Sequence, residues 1–217
     1  KAGKGEIAKK AARSHTGALA GRYEFYKSDF KKAGVIELNG YEEFIAGCKA
    51  FGCCKSAAGK RVMIITDGGG IGVGIADECS TLGLEVSPLK DEVKKDLEEG
   101  FPPFCALTNP MDLTGSVTDG LFSEAIEKTM TGDGYDIAIV AVLWGPPGLT
   151  DELPDAIAAK ARLAGKPVLI CAPGGKYTKK RGGMFTKAGL PVFSTPEAAA
   201  RAASILSMRP PAAAEET

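Results

Sequence analysis

The sequence has one histidine and one tryptophan among 217 residues, and it has no net charge, with 27 Lys and Arg against 27 Asp and Glu. A neutral balance excludes a nucleic-acid binder held by a broadly basic surface. Long apolar runs are absent too. The longest, Ile137 to Trp144, has eight residues, whereas a membrane span needs about twenty. The stretch Lys1 to Lys10 is charged and lacks the apolar centre of a secretory signal. Nor is there a dense cysteine framework. The six cysteines, Cys48, Cys53, Cys54, Cys79, Cys105 and Cys171, are scattered, which reads as reduced thiols in a cytoplasm. Cys48-x4-Cys53-Cys54 is either a soft-metal site or a small apolar helix end. With no second pair and no histidine nearby, no metal is expected there.

What is present is an alternation of apolar runs and helical stretches. The length fits one domain or two small ones, and a chain of this size buries about 70% of its unfolded surface without a covalent staple. Strands are expected at 61–66, 84–88, 104–108, 136–144, 167–172 and 191–194. Helices are expected at 71–82, 90–99, 121–130, 151–164, 178–188 and 196–207. The strands are continuously apolar rather than alternating, so both sheet faces are covered. Strand, helix, strand repeated implies parallel right-handed crossovers. Residues 58–208 therefore read as one doubly wound, flavodoxin-like α/β domain. Thr195-Pro196-Glu197 is a helix start with cap, proline and acid in order. Gly165-Lys166-Pro167 stops a helix and opens a strand. Residues 209–217 form a tail with nothing to bury.

Residues 1–57 differ. They are basic at the front and offer a loop of small residues, a helix over about 21–33, a possible short strand Val35 to Leu38, and a helix over 40–51. That set closes no α/β layer, and it reads as the C-terminal part of a second, similar domain.

Five segments are candidates for chemistry. In Ser14-His15-Thr16-Gly17-Ala18 a lone histidine stands among small residues that leave room for a ligand. Backbone N–H groups at Gly17 and Ala18 are possible anion donors. An imidazole with an ordinary pKa of about 6.5 is largely neutral and nucleophilic at pH 7, which suits phosphoryl acceptance; a loop histidine bonded to a carbonyl is the plainer alternative. Asp67-Gly-Gly-Gly-Ile-Gly-Val-Gly74 joins a strand to a helix. It is either an anion-binding turn at a helix N-terminus or simply a tight turn. It is no P-loop, and it makes a poor dinucleotide fingerprint. Asn109-Pro-Met-Asp112-Leu-Thr-Gly115 follows a strand, at the ligand-bearing edge of such sheets; Asp112 either caps a turn or faces the site. Trp144-Gly145-Pro-Pro-Gly148 lies at the same edge. Gly174 to Arg181 is basic, and either meets phosphates or is a solvated helix start. The mixed-charge helix over 90–99 reads as a solvated face.

Taken together these segments resemble the NDP-forming acyl-CoA synthetases, relatives of succinyl-CoA synthetase. Ala11 to Gly21 is similar to that family's phosphohistidine loop, and Phe30 to Ile36 follows it as in the family. Ile64 to Val73, Asn109 to Gly115 and Gly189 to Glu197 resemble successive landmarks of its CoA-ligase domain. The resemblance implies a reaction in which acyl-CoA and phosphate give an acyl phosphate, His15 accepts the phosphoryl group, and ADP receives it to make ATP. It implies that Gly69, Gly70 and Ile71 supply backbone donors to that group, with Asn109, Asp112 and Gly145 in loops at the substrate site. CoA and ADP or ATP with magnesium are then substrates rather than tightly held cofactors. Their binding falls to a CoA-binding domain and an ATP-grasp domain, neither of which fits within this chain. The chain is expected to be an incomplete catalytic unit that associates with those partners, to expose apolar surface in its first segment, to form an oligomer, and to reside in the cytoplasm. Two other classes stay open. One is a non-catalytic regulatory module, such as the degenerate synthetase-like region of a protein lysine acetyltransferase. The other is an FMN carrier, although residues 67–74 lack the hydroxyls of a flavin phosphate loop.

Overall fold

Apolar segments that cannot sit against water from either side must be sandwiched, and that requirement organises the chain. A computed structural model describes residues 4–16 and 23–208. They form two compact units, Lys1–Leu38 and Asn39–Thr217.

In the first unit the described elements are helices α1 (Glu6–Thr16) and α2 (Tyr23–Lys32). Here the structure departs from the expected loop of small residues. The run Glu6-Ile-Ala-Lys-Lys-Ala-Ala-Arg consists of strong helix formers with an acid in the first turn, and propensity carries the helix through Thr16. The backbone of His15 thus lies in the last turn of α1. Its side chain, Gly17 and Ala18 lie outside the described residues. Val35 to Leu38 is irregular rather than a strand, because no described strand of this unit lies beside it to accept its hydrogen bonds. Lys4 pairs with Glu37 at 2.6 Å and lies 4.7 Å from the Tyr23 ring. Ile7, Phe25 and Val35 are exposed.

The second unit begins with α3 (Gly40–Cys53). Then come β1 (Val62–Thr66), α4 (Gly69–Thr81), α5 (Asp91–Gly100), β2 (Met111–Asp112), α6 (Asp119–Met130), β3 (Ile137–Ala141), α7 (Leu153–Ala164), β4 (Val168–Cys171), α8 (Lys176–Lys187), β5 (Val192–Phe193) and α9 (Pro196–Ser207). The sheet is five-stranded with order β2-β1-β3-β4-β5, and every pairing is parallel. This is the doubly wound, flavodoxin-like arrangement. Every residue of β1, β3 and β4 is buried, as continuous apolar runs require. Met63, Ile65, Ala138 and Val140 share a core with Leu97 of α5, Phe122 and Ile126 of α6, Ile157 of α7 and Phe185 of α8. The opposite face is covered by α4 and α9, with α3 packed on α9. The buried alanines 199, 200, 202 and 203 of α9 allow that close approach. Thr195 caps α9 by accepting from Ala198 N–H at 3.2 Å, with Pro196 in its first turn. Gly165 closes α7 in the left-handed conformation, φ 64°.

Two expected strands are absent. Leu84 to Pro88 makes a single bridge, between Glu85 and Arg61. Phe104 to Thr108 is turn-like and bridges only through Ala106, so the strand lies later, at 111–112. Pro102 and Pro103 bring no N–H to a ladder, and a side chain takes the neighbouring place beside β1. The Asn109 amide accepts from Ile64 N–H at 3.0 Å and donates to Val62 O at 2.8 Å and to Ser87 O at 2.9 Å. It satisfies β1 where a longer β2 would have done so.

At the N-terminal edge, Arg61 grips Asp136 with two side-chain bonds, Nε to Oδ2 at 2.9 Å and Nη2 to Oδ1 at 2.7 Å, and its backbone N–H adds a third at 3.0 Å. The guanidinium holds the Asp136 carboxyl below its ordinary range. Its stabilisation is therefore complete above that range and is lost as pH falls through the lowered pKa. Asp136→Ala should cost about 1–2 kcal/mol at neutral pH by removing the acceptor of three hydrogen bonds from Arg61, whose half-exposed guanidinium water can still reach. In urea unfolding the gap from the wild type should narrow as the medium is made acid.

Candidate functional site

In an open parallel sheet, ligands meet the carboxyl ends of the strands where the strand order reverses. Here that point lies between β1 and β3. The loops after β1, β2 and β3 converge on it, and each is fitted to the next at close range.

The turn from β1 into α4 is organised by Thr66, whose Oγ1 accepts from Gly68 N–H at 3.0 Å and donates to Gly68 O at 3.2 Å. A Cβ on Gly68 would lie 2.3 Å from Leu143 Cδ1, and one on Gly69 would lie 2.5 Å from Asp112 Oδ2. Glycine lets the β3 and β2 loops press this closely against the turn. Gly70 has open space where a side chain would be. The N-terminus of α4 has no side-chain cap. Ile71 N–H and Gly72 N–H turn back to Gly68 O at 3.0 and 3.3 Å. Of the three donors expected from the sequence, Ile71 is therefore engaged, because the first turn closes on Gly68. Gly69 and Gly70 have no acceptor among the described residues. Two open N–H groups at the positive end of a helix are donors of the kind that can receive an anion.

Two carboxylates lie in the loops around this helix end. Asp112 does both things considered for it: its Oδ1 accepts from Thr114 N–H at 2.9 Å, capping a turn, while its Oδ2 stands against Gly69. Asp67 is only 5% exposed, and both its oxygens receive Leu143 N–H, at 2.9 and 3.2 Å. It straps the β3 loop to the β1 loop. Burial pushes the Asp67 carboxyl up to about 6, opposed by backbone donors and aided by the charge of Asp112. Asp67 was visible in the sequence only as the residue opening a glycine run; its sign is an acid at the very end of a buried strand. The Asn109 amide, by contrast, is bonded to β1 and the Ser87 turn. It builds the sheet rather than facing the crevice.

The two described non-glycine residues with left-handed backbone, Thr114 (φ 62°) and Trp144 (φ 61°), both lie in these loops, as strain at a site commonly does. Trp144 is buried against Phe185, ring centres 5.6 Å apart. The Arg181 guanidinium lies 4.6 Å from the Trp144 ring and 4.9 Å from that of Tyr177, and pairs with Asp151 at 2.8 Å. In the basic stretch after β4, Arg181 is thus a latch on the β3 loop, while Lys176, Lys179 and Lys180 are exposed. Among the described residues no three His, Cys, Asp or Glu side chains are grouped to hold a metal ion, and all six cysteines are free thiols.

The β3 loop gives a paired test. A Cβ on Gly148 would meet Val117 O at 2.5 Å, backbone that cannot swing aside, whereas one on Gly145 meets nothing within 4 Å. Gly148→Ala should lower stability by about 2 kcal/mol in urea unfolding, and Gly145→Ala should leave it within about 0.5 kcal/mol.

Comparison with known proteins follows the same map. A succinyl-CoA ligase-like flavodoxin domain matches residues 1–51, and a Ligase-CoA domain matches residues 62–196. The alpha subunit of an ADP-forming acetate–CoA ligase II from Pyrococcus furiosus is 34% identical over 210 residues, 95% of this chain and 46% of that protein. An ADP-forming acetate–CoA ligase I from Archaeoglobus fulgidus is 32% identical over 206 residues, 95% of this chain and 29% of that protein. Among solved structures, the dinucleotide-forming acetyl-coenzyme A synthetase 1 of Ca. Korarchaeum cryptofilum, in complex with phosphate and ADP, superimposes with a TM-score of 0.81 at 28% identity, over 96% of this chain and 45% of that one. The chain spans less than half the length of each of these relatives. With the Ligase-CoA domain matching 62–196, more than half of the chain and across the whole sheet and its crevice, the chain belongs to the Ligase-CoA domain family.

Proposed function

We propose that this chain is the phosphohistidine-bearing and Ligase-CoA part of an ADP-forming acyl-CoA synthetase, interconverting acyl-CoA, ADP and phosphate with the free acid, CoA and ATP. The observation that carries the reading is the alignment of ADP-forming acetate–CoA ligases along 95% of the chain. The uncapped α4 N-terminus with its two open donors supports it from the chemical side.

The reaction divides into three displacements. Phosphate oxygen attacks the thioester carbonyl and CoA leaves as the thiol, giving an acyl phosphate. A ring nitrogen of His15 attacks its phosphorus, and the carboxylate leaves. The terminal phosphate oxygen of ADP then takes the phosphoryl group from the ring nitrogen, forming ATP and restoring neutral His15. In this scheme Gly69 and Gly70 hold phosphoryl oxygens by backbone N–H, supplying charge stabilisation without a metal at that point. Gly17 and Ala18 add donors on the histidine side, and Asp112 and Gly145 flank the crevice. The CoA-binding domain and the nucleotide-binding domain, with its magnesium, come from the remainder of the synthetase, and the substrate is a carboxylic acid, of which acetate is the one named for the two relatives above. We place the protein in the cytoplasm, where free thiols persist.

Assembled with its CoA-binding and ATP-grasp partners and given γ-labelled ATP, the wild-type chain should acquire acid-labile, alkali-stable label. His15→Asn should lose it, with synthetase turnover reduced by at least about 1,000-fold. Absence of label from the wild type, with an ATP-binding partner present, would mark the chain as a regulatory module instead.

A further inference from the structure

The α4 N-terminus holds a conflict of charge. Its open donors at Gly69 and Gly70 favour an anion, yet the Asp112 carboxylate from β2 borders Gly69 and the Asp67 carboxylate lies two residues before it in the same turn. Asp112 Oδ2 stands where a Cβ on Gly69 would be, 2.5 Å away. Asp67 lies just before the turn, 5% exposed, with both oxygens accepting from Leu143 N–H. A phosphate dianion arriving there faces like charge on a low-dielectric wall, where repulsion is least screened. Neutralising one of the carboxylates would relieve that repulsion.

We propose that Asp67 is a positioning residue that takes up one proton from solvent when a dianion docks at Gly69 and Gly70, losing its charge while keeping its hold on the β3 loop. This rests on the reading above that α4 receives a phosphoryl group. The geometry selects Asp67 rather than Asp112. Either Asp67 oxygen can carry the proton while the other still accepts from Leu143 N–H, so neutralisation leaves the strap intact. Asp112 is less deeply buried and is bonded to Thr114 N–H at 2.9 Å. The burial that already holds the Asp67 carboxyl at about 6 sets it near the range where an added anion completes protonation.

The surroundings contain few other charges. From β2 the charged group is Asp112. The loop 143–148 and the first two turns of α4 carry no ionisable side chain. The end of β4 contributes the buried Cys171 thiol, raised to about 12. On α9, packed against α4, Glu197 is exposed and Arg201 lies 3.9 Å from Glu78.

Sulfate is the probe, because it stays a dianion across this pH range and its own titration cannot imitate the effect. Sulfate binding to the 217-residue chain is measured by calorimetry between pH 5.5 and 8, in buffers of different ionisation enthalpy. The wild type should bind about tenfold more weakly at pH 7.5 than at pH 6, with net proton uptake. Asp67→Asn, which keeps an acceptor for Leu143 N–H, should bind at pH 7.5 as tightly as the wild type at pH 6, with no pH slope and no uptake. Asp112→Asn should tighten binding and retain the slope. A purely structural strap would alter stability without moving the slope. Binding with a flat wild-type profile, or a slope that persists in Asp67→Asn or vanishes in Asp112→Asn, overturns the proposal and leaves the phosphoryl reading standing. No sulfate or phosphate binding by any of the three at any pH overturns both.

Discussion

A parallel sheet buried on both faces must be covered by helices on each side, and on one face of this sheet a single helix, α9, lies across three strands. It touches β3, β4 and β5 on one side and α3 and α4 on the others. Over its first half such a helix is packed closely on several sides, and the buried alanines allow it, with Ile205 and Leu206 buried toward its end. The consequence reaches the site, because α4, whose N-terminus faces the crevice, is held against α9. Pro196 at the start of α9 comes within 3.7 Å of a Cβ placed on Gly74 of α4.

At the carboxyl edge the chain solves a second problem, that of bringing three loops together without side chains filling the gap between them. Gly68 and Gly69 yield their side-chain space to Leu143 and Asp112. Asp67 then ties the first loop to the third through the main chain. The resulting crevice combines open helix-end donors with two acids. Those two features act on an anion in opposite directions, the donors attracting it and the acids repelling it.

Strand content is largely legible in the sequence because burial on both faces produces continuous apolar runs, and β1, β3 and β4 sit inside the segments expected for them. The α9 start is legible for a local reason: Thr195, Pro196 and Glu197 each do one job in a helix N-terminus. The departures arise where one group does another's work. The Asn109 amide stands in for main chain beside β1, and no periodicity reveals a side chain acting as a strand. In α1, alanines that suit a close-packed loop are also the best helix formers, and propensity prevails. In the sequence Ile71 reads as a free donor, and in the fold the first turn of α4 closes it on Gly68 O. The glycine run announced a crevice; that a neighbouring acid would be buried within hydrogen-bonding reach of Leu143 depends on a contact between residues far apart in the chain.

The latch on the β3 loop has a practical consequence. Trp144 is the only tryptophan, it is buried in a loop bordering the crevice, and a guanidinium lies 4.6 Å from its ring. A cation over an indole face perturbs the excited state, so the emission of the whole chain reports one loop. The protein carries its own optical gauge at the edge of its site, and opening of the Arg181 latch registers as a change in tryptophan fluorescence without any label being attached.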